Sequence, residues 1–197
     1  MPNYMPNYIE MPRQITIFTG SFKPPHRGHL SIVKTMLKCT EKPRKGDKGP
    51  GYVYIFISKK EREPCEKLTG EISKKIWKDY IETLPKKYQK RVRLVLSKLS
   101  SPTQTAYGFV KKIAVPSDFF YLIKSAKDAK NARYGSFQNL KNIKYKELIL
   151  PGFETMNSTD MRIYANENKK SEFNKYVPPG LGKKKEELWK MMRKLCK

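Results

Sequence analysis

The stretch TGSFKPPHRGHL, residues 19–30, contains both histidines of the chain, His26 and His29. It follows an apolar, β-branched run, QITIFT (14–19), and opens an amphipathic one, RGHLSIVKTMLKC (27–39). This is a strand, a glycine turn and a helix start. Gly20 allows the tight turn and a close backbone approach. The amides at the start of the helix form a ready anion site. His26 and His29, three apart at the helix entrance, can point the same way and donate to charge developing there. Two rival readings of the pair are a metal site and simple loop hydrogen bonding. Zinc would need further ligands, and the chain has no other histidine and no cysteines at matching spacing.

Working outward, four more short apolar runs read as strands: YVYIFIS (52–58), RVRLVL (91–96), DFFYLI (118–123) and YKELIL (145–150). Helical patterns lie between them. Leu30, Val33, Met36 and Leu37 share one face of 27–39, and Ile72, Ile76, Trp77, Tyr80 and Leu84 share one face of 70–84. Ser101-Pro102 caps a third helix with apolar Ala106, Phe109, Val110 and Ile113. A weaker helix is expected near 127–138, and two more near 158–168 and 184–195. Trp77 and Trp189 read as core. Strands alternating with helices predict an α/β fold, a Rossmann-like five-stranded parallel sheet with helices on both faces. The division expected is a flexible N-terminal arm, residues 1–12 with the repeat MPNYMPNY, and a single domain over 13–197. Within that domain, EKPRKGDKGPG (41–51) is a basic, mobile loop and 184–195 a C-terminal helix.

Open sheets of this kind bind ligands beyond the carboxyl ends of their strands. The segments there are GSFKPPHRGH, SKKER (58–62), SKLSSP (97–102), KSAKD (124–128) and PGFETMNSTDMR (151–162). All are rich in small hydroxyl residues or in lysine and arginine. A phosphate-rich ligand at that edge would meet amides, hydroxyls and cations together.

The net charge is +24, with 38% hydrophobic, 30% charged and 12% aromatic residues. The aromatic content argues against disorder, and the charge predicts attraction to polyanions. The densest basic runs are PKKYQKRVR (85–93) and GKKKEELWKMMRKLCK (182–197). They fit either a generally solvated surface or a nucleic-acid patch, and no zinc finger, RNA-binding sheet motif or basic zipper accompanies them. Cys39, Cys65 and Cys196 are odd in number and widely spaced, which predicts reduced thiols and an intracellular, cytoplasmic setting. No signal peptide is visible and no run is long enough for a membrane span.

GSFKPPHRGHL resembles the signature of the nucleotidylyltransferase superfamily: Gly, Ser or Thr, Phe, a variable residue, Pro, then His/Thr-x-Gly-His. MNSTDMR (156–162) resembles the second signature of its adenylyltransferase branch, Ile-Ser-Ser-Thr-x-Ile-Arg. EFNKYVPPGL (172–181) is similar to the segment that follows it in the mononucleotide adenylyltransferases. The resemblance spans about residues 13–195 and implies a HUP-type nucleotidyltransferase fold. It also implies an enzyme that moves AMP from ATP to a small phosphorylated acceptor such as nicotinamide mononucleotide, releasing pyrophosphate with Mg2+ as cofactor.

By the match, His26 and His29 are catalytic, contacting the triphosphate. Gly20, Ser21, Phe22 and Gly28 present backbone to the nucleotide, and Asn157, Ser158, Thr159 and Arg162 grip its phosphates. Lys23 stands where the family often has Asp or Asn. Lys124 and Ala126 replace a usual glycine arrangement, with Asp128 as a displaced acid. Lys23, Lys59, Lys60, Arg62, Lys124 and Asp128 are the candidate acceptor contacts, while Arg133 reads as structural. Phosphopantetheine is another acceptor of this class. A CTP-using relative and a basic nucleic-acid-binding protein on the same scaffold stay open, as does homo-oligomerisation. FETMNST lacks the Arg-Thr-x-Gly run usual before the Ser-Thr of the cytidylyltransferases. The chain also lacks the Lys-Met-Ser-Lys-Ser loop of the class I aminoacyl-tRNA synthetases, which share the histidine signature.

Overall fold

The structure, a computed structural model, describes residues 13–47, 49–61, 63, 65–124, 132–150 and 156–197. The N-terminal arm, Arg62, Asp128 and the first part of the expected 127–138 helix lie outside these residues.

The five strands form as expected: β1 (Gln14–Gly20), β2 (Tyr52–Ile57), β3 (Val92–Leu96), β4 (Phe119–Lys124) and β5 (Lys144–Ile149). All pair in parallel in the order β3-β2-β1-β4-β5. The strand order reverses beside β1, which puts the glycine turn at the position where such sheets bind ligands. The helices are α1 (Arg27–Cys39), α2 (Gly70–Glu82), α3 (Lys86–Gln89), α4 (Pro102–Ile113), α5 (Ser158–Asn166), α6 (Lys170–Asn174) and α7 (Lys184–Leu195). Ser101 caps α4 by accepting the Gln104 amide, with Pro102 in the first turn.

Side chains alternate across the sheet with the period of two that a strand imposes. Phe18, Val53, Ile55, Ile57 and Ile123 join the core under α1, α2, α5 and α7. Ile15, Ile17, Phe56, Phe120 and Leu122 join the opposite core under α4. Trp77 and Trp189 are buried, as expected.

Three expectations are corrected. First, the described end of the 127–138 segment is a 3-10 turn, Gly135–Asn139, and not an α-helix. Its aromatic residues Tyr134 and Phe137 plug the α4-side core, which fixes the chain without a longer helix. Second, β5 is not a buried strand: Lys144, Lys146, Glu147 and Ile149 are exposed. It pairs only with β4 among the described strands, and lysines suit such an edge because they discourage further pairing. Third, Cys65 and Cys196 are joined in a disulfide, leaving Cys39 as the free thiol. The partners are 131 positions apart, and only the packing of α7 brings them together.

The basic 41–51 loop is anchored at both ends. Glu41 receives Lys87 Nζ and Tyr88 Oη, and Arg91 donates to the carbonyls of Gly51 and Thr40. Two cations of the basic run 85–93, Lys87 and Arg91, are therefore engaged in holding this loop.

Candidate active site

The turn after β1 is gripped by its carbonyl oxygens. Four successive carbonyls each accept a hydrogen bond from another element. Ser73 Oγ of α2 donates to Phe22 O, and Arg162 Nη1 of α5 donates to Lys23 O at 2.6 Å. Ser158 Oγ donates to Pro24 O at 2.7 Å, and Tyr80 Oη to Pro25 O at 3.1 Å. Each oxygen is buried or nearly so, and leaving one unpaired would cost on the order of 1–3 kcal/mol. The turn is thereby locked between α2 and α5, and the two signature segments are stapled directly to each other.

Phe22 adopts φ +51°, rare for a bulky residue, so this backbone is held by its surroundings. Its ring lies edge-on to Phe18, His29 and Trp77, at 4.9, 5.0 and 5.4 Å between centroids. The same ring covers Gly20: a Cβ added there would sit 2.7 Å from it. Gly20 is thus required for the seating of Phe22, a reason not visible in the spacing.

His26 and His29 come together at the start of α1, their rings stacked 3.6 Å apart. His29 Nδ1 accepts the His26 amide at 3.2 Å, so neutral His29 carries its proton on Nε2 and donates from that atom. Burial lowers the pKa of His26 to about 4, with the Asp160 carboxylate opposing. His29 is pushed well below 6.5 by burial and by His26. Both rings are neutral at pH 7. The buried atoms His26 Nδ1 and Ser21 Oγ have no hydrogen-bond partner among the described residues, which leaves both able to bond a polar ligand that reaches them.

The lowered His26 pKa makes the fold acid-sensitive. The unfolded chain takes up a proton on His26 near pH 6.5, and the folded chain only near pH 4. Stability present above pH 6.5 is therefore lost as pH falls through that window, by about 2 kcal/mol from His26 at pH 5. Urea unfolding at pH 7.5 and pH 5 should show this loss, and His26→Gln should reduce the difference by that amount. An identical pH dependence in the variant would contradict the assignment.

Around the histidines, Asn157 caps α5, its Oδ1 accepting the Asp160 amide at 2.8 Å and its Nδ2 donating to Asp160 Oδ2 at 2.7 Å. Tyr176 Oη donates to the same carboxylate at 3.0 Å, and Tyr176 O takes the Arg27 amide at 2.7 Å, so one first-turn amide of α1 is already used. Thr159 is exposed, while Gly28 is buried in the first turn of α1. Arg162 is buried and turned onto protein acceptors: besides Lys23 O it donates to Glu63 O at 2.7 Å and to Thr159 Oγ1 at 3.1 Å.

The acceptor candidates divide. Lys59 and Lys60 are exposed beyond β2. Lys23 is fully buried, its ammonium donating to Lys59 O and Lys60 O. Lys124 pairs with Glu147 of β5. Arg133 donates to Thr19 O at 2.8 Å, in keeping with a structural role. Sequence reasoning missed Ser73, Tyr80, Asp160 and Tyr176. The first two sit on the apolar side of α2, and only their hydroxyls hinted at a polar task.

No protein-family profile matches the sequence, and no curated protein resembles it at a significant level. Solved structures do share its fold. One is nicotinic acid mononucleotide adenylyltransferase of Plasmodium falciparum in complex with NaAD, with TM-score 0.57 and 16% identity over 90% of this chain and 98% of that one. Another is a putative nicotinate-nucleotide adenylyltransferase from Vibrio parahaemolyticus, with TM-score 0.58 and 17% identity over the same shares. The Plasmodium enzyme complexed with APC aligns at TM-score 0.54 and 15% identity. The architecture is thus the Rossmann-like α/β fold of these structures, and the likeness extends over nearly their full length.

Proposed function

We propose that this chain is an adenylyltransferase that transfers AMP from ATP to a small phosphorylated acceptor, with a pyridine mononucleotide as the leading candidate. The observation that carries the reading is the stapling of the two signature segments through Ser158 and Arg162 beside the stacked histidines. An acceptor phosphate oxygen attacks the α-phosphorus, the bond to the β-phosphate breaks, and pyrophosphate leaves. Such a transfer depends on positioning and charge stabilisation and needs no covalent enzyme intermediate. The His29 Nε2–H donates to the α-phosphate as negative charge shifts toward the leaving group. The orphaned Ser21 hydroxyl and His26 imidazole bind further phosphate oxygens.

Among the described residues no group of three or more His, Cys, Asp or Glu side chains could cage a metal. Asp160 is already bonded to Asn157 and Tyr176. A magnesium ion arriving with the triphosphate would therefore depend on phosphate oxygens and water more than on these side chains. When bound, that ion neutralises charge on the leaving pyrophosphate.

Calorimetric titration with ATP and with CTP, in magnesium at moderate salt, tests the nucleotide assignment. Clear preference for ATP is the expected result. Preference for CTP would redirect the reading to sugar or alcohol phosphates. Binding of either only at low salt would mean that the +24 charge, and not the site, attracts nucleotides.

A further inference from the structure

Lys23 occupies the variable position of the first signature, between Phe22 and Pro24, and it is fully buried. A lysine ammonium is rarely buried without partners, because its desolvation must be offset by hydrogen bonds. Here its Nζ reaches across to the segment after β2 and donates to Lys59 O, at 2.9 Å, and to Lys60 O. The backbone of the same residue completes a second tie. Lys23 O accepts Arg162 Nη1, and Arg162 Nε donates to Glu63 O in the same segment. Two residues further on, Cys65 is bonded to Cys196 at the end of α7. Beyond β2, Lys59 and Lys60 are therefore tied to Lys23, Glu63 to Arg162, and Cys65 to α7 by a covalent bond. Its exposed Lys59 and Lys60 side chains stand at the carboxyl ends of the strands, on the edge shared with the histidine turn.

From this we infer that Lys23 is a positioning residue for the acceptor. Its buried ammonium does not touch the acceptor. It holds the backbone at Lys59 and Lys60 so that their side chains meet the acceptor phosphate. A carboxylate or amide at this position would be too short to span to both carbonyls, and a carboxylate could not donate to them. The clamp is thus specific to a long cationic side chain. The inference rests on the adenylyltransferase reading for its kinetic consequence, though not for the clamp itself.

The test uses the full chain and two readouts. Lys23→Met keeps the length of the side chain and removes the donors. Amide hydrogen exchange in peptides covering 58–65 should speed up at least about tenfold in this variant, while peptides from α4 stay as protected as in the parent protein. In turnover with ATP and the mononucleotide acceptor, the acceptor KM should rise about tenfold, with the ATP KM unchanged. Lys23→Arg, which keeps a cation and its donors, should return the acceptor KM to within about threefold of the parent. Lys59→Ala/Lys60→Ala should raise the acceptor KM without altering exchange, separating the contact from its support. Unchanged exchange at 58–65 in Lys23→Met would overturn the clamp regardless of activity. A loosened segment with equal rises in both KM values would overturn the acceptor role. If the parent protein transfers AMP to no acceptor, the adenylyltransferase reading and the kinetic role fail while the exchange result still decides the clamp.

Discussion

Replacing His29 by Ala is expected to lower kcat by about 10²–10³-fold, the usual consequence of removing one donor aimed at developing charge. The loss should fall on kcat more than on KM, because the donor acts on charge that grows in the transition state. Ala would also delete the ring from its place among Phe22, Trp77 and His26 and leave the His26 amide without its acceptor. His29→Asn separates these effects. Its side-chain oxygen can take over the bond to the His26 amide, as an N-terminal helix acceptor, but no donor remains at the Nε2 position. Both variants should lose turnover similarly, and the Asn variant should unfold close to the parent in urea. Unchanged turnover in either would remove His29 from the mechanism.

Breaking the Cys65–Cys196 bond is expected to lower stability by about 2–5 kcal/mol. The bond closes a loop of 131 positions, and a long loop gains more freedom in the unfolded chain when it is opened. For a chain of this size the melting temperature should fall by roughly 10 °C on adding a dithiol reductant, or in Cys196→Ser. A thiol count on the unfolded chain in denaturant, without reductant, checks the pairing itself. The chain has three cysteines, and the expected reading is one reactive thiol, from exposed Cys39. Three reactive thiols would contradict the bond, and the stability difference would vanish with it.

The strands and the main helices were legible because short β-branched runs and amphipathic faces repeat what the sheet and its two cores require. The histidine pair was legible as a site because it closes a strand-turn-helix unit, a local pattern. What stayed hidden was non-local. Nothing in the spacing of Cys65 and Cys196 announces that α7 returns to the segment after β2. Lys23, Lys124 and Arg162 read as cations facing a ligand, yet each is buried and turned onto a protein partner. A sequence shows the charge of a side chain but not which carbonyl lies within its reach. Tyr80 reads as one more apolar position of α2 and Ser73 as an ordinary one, although their hydroxyls hold the turn after β1. The exposure of β5 is not legible in YKELIL, whose apolar residues fit a buried strand, and only the sheet order reveals it as an edge.

The most direct test of the central claim is product formation. The protein is incubated with ATP, magnesium and nicotinate mononucleotide or nicotinamide mononucleotide, and the mixture is analysed by mass spectrometry for a dinucleotide together with pyrophosphate. Equimolar dinucleotide and pyrophosphate are expected, both formed about 10²–10³-fold more slowly with His29→Asn. ATP bound without transfer to either mononucleotide or to phosphopantetheine would contradict it.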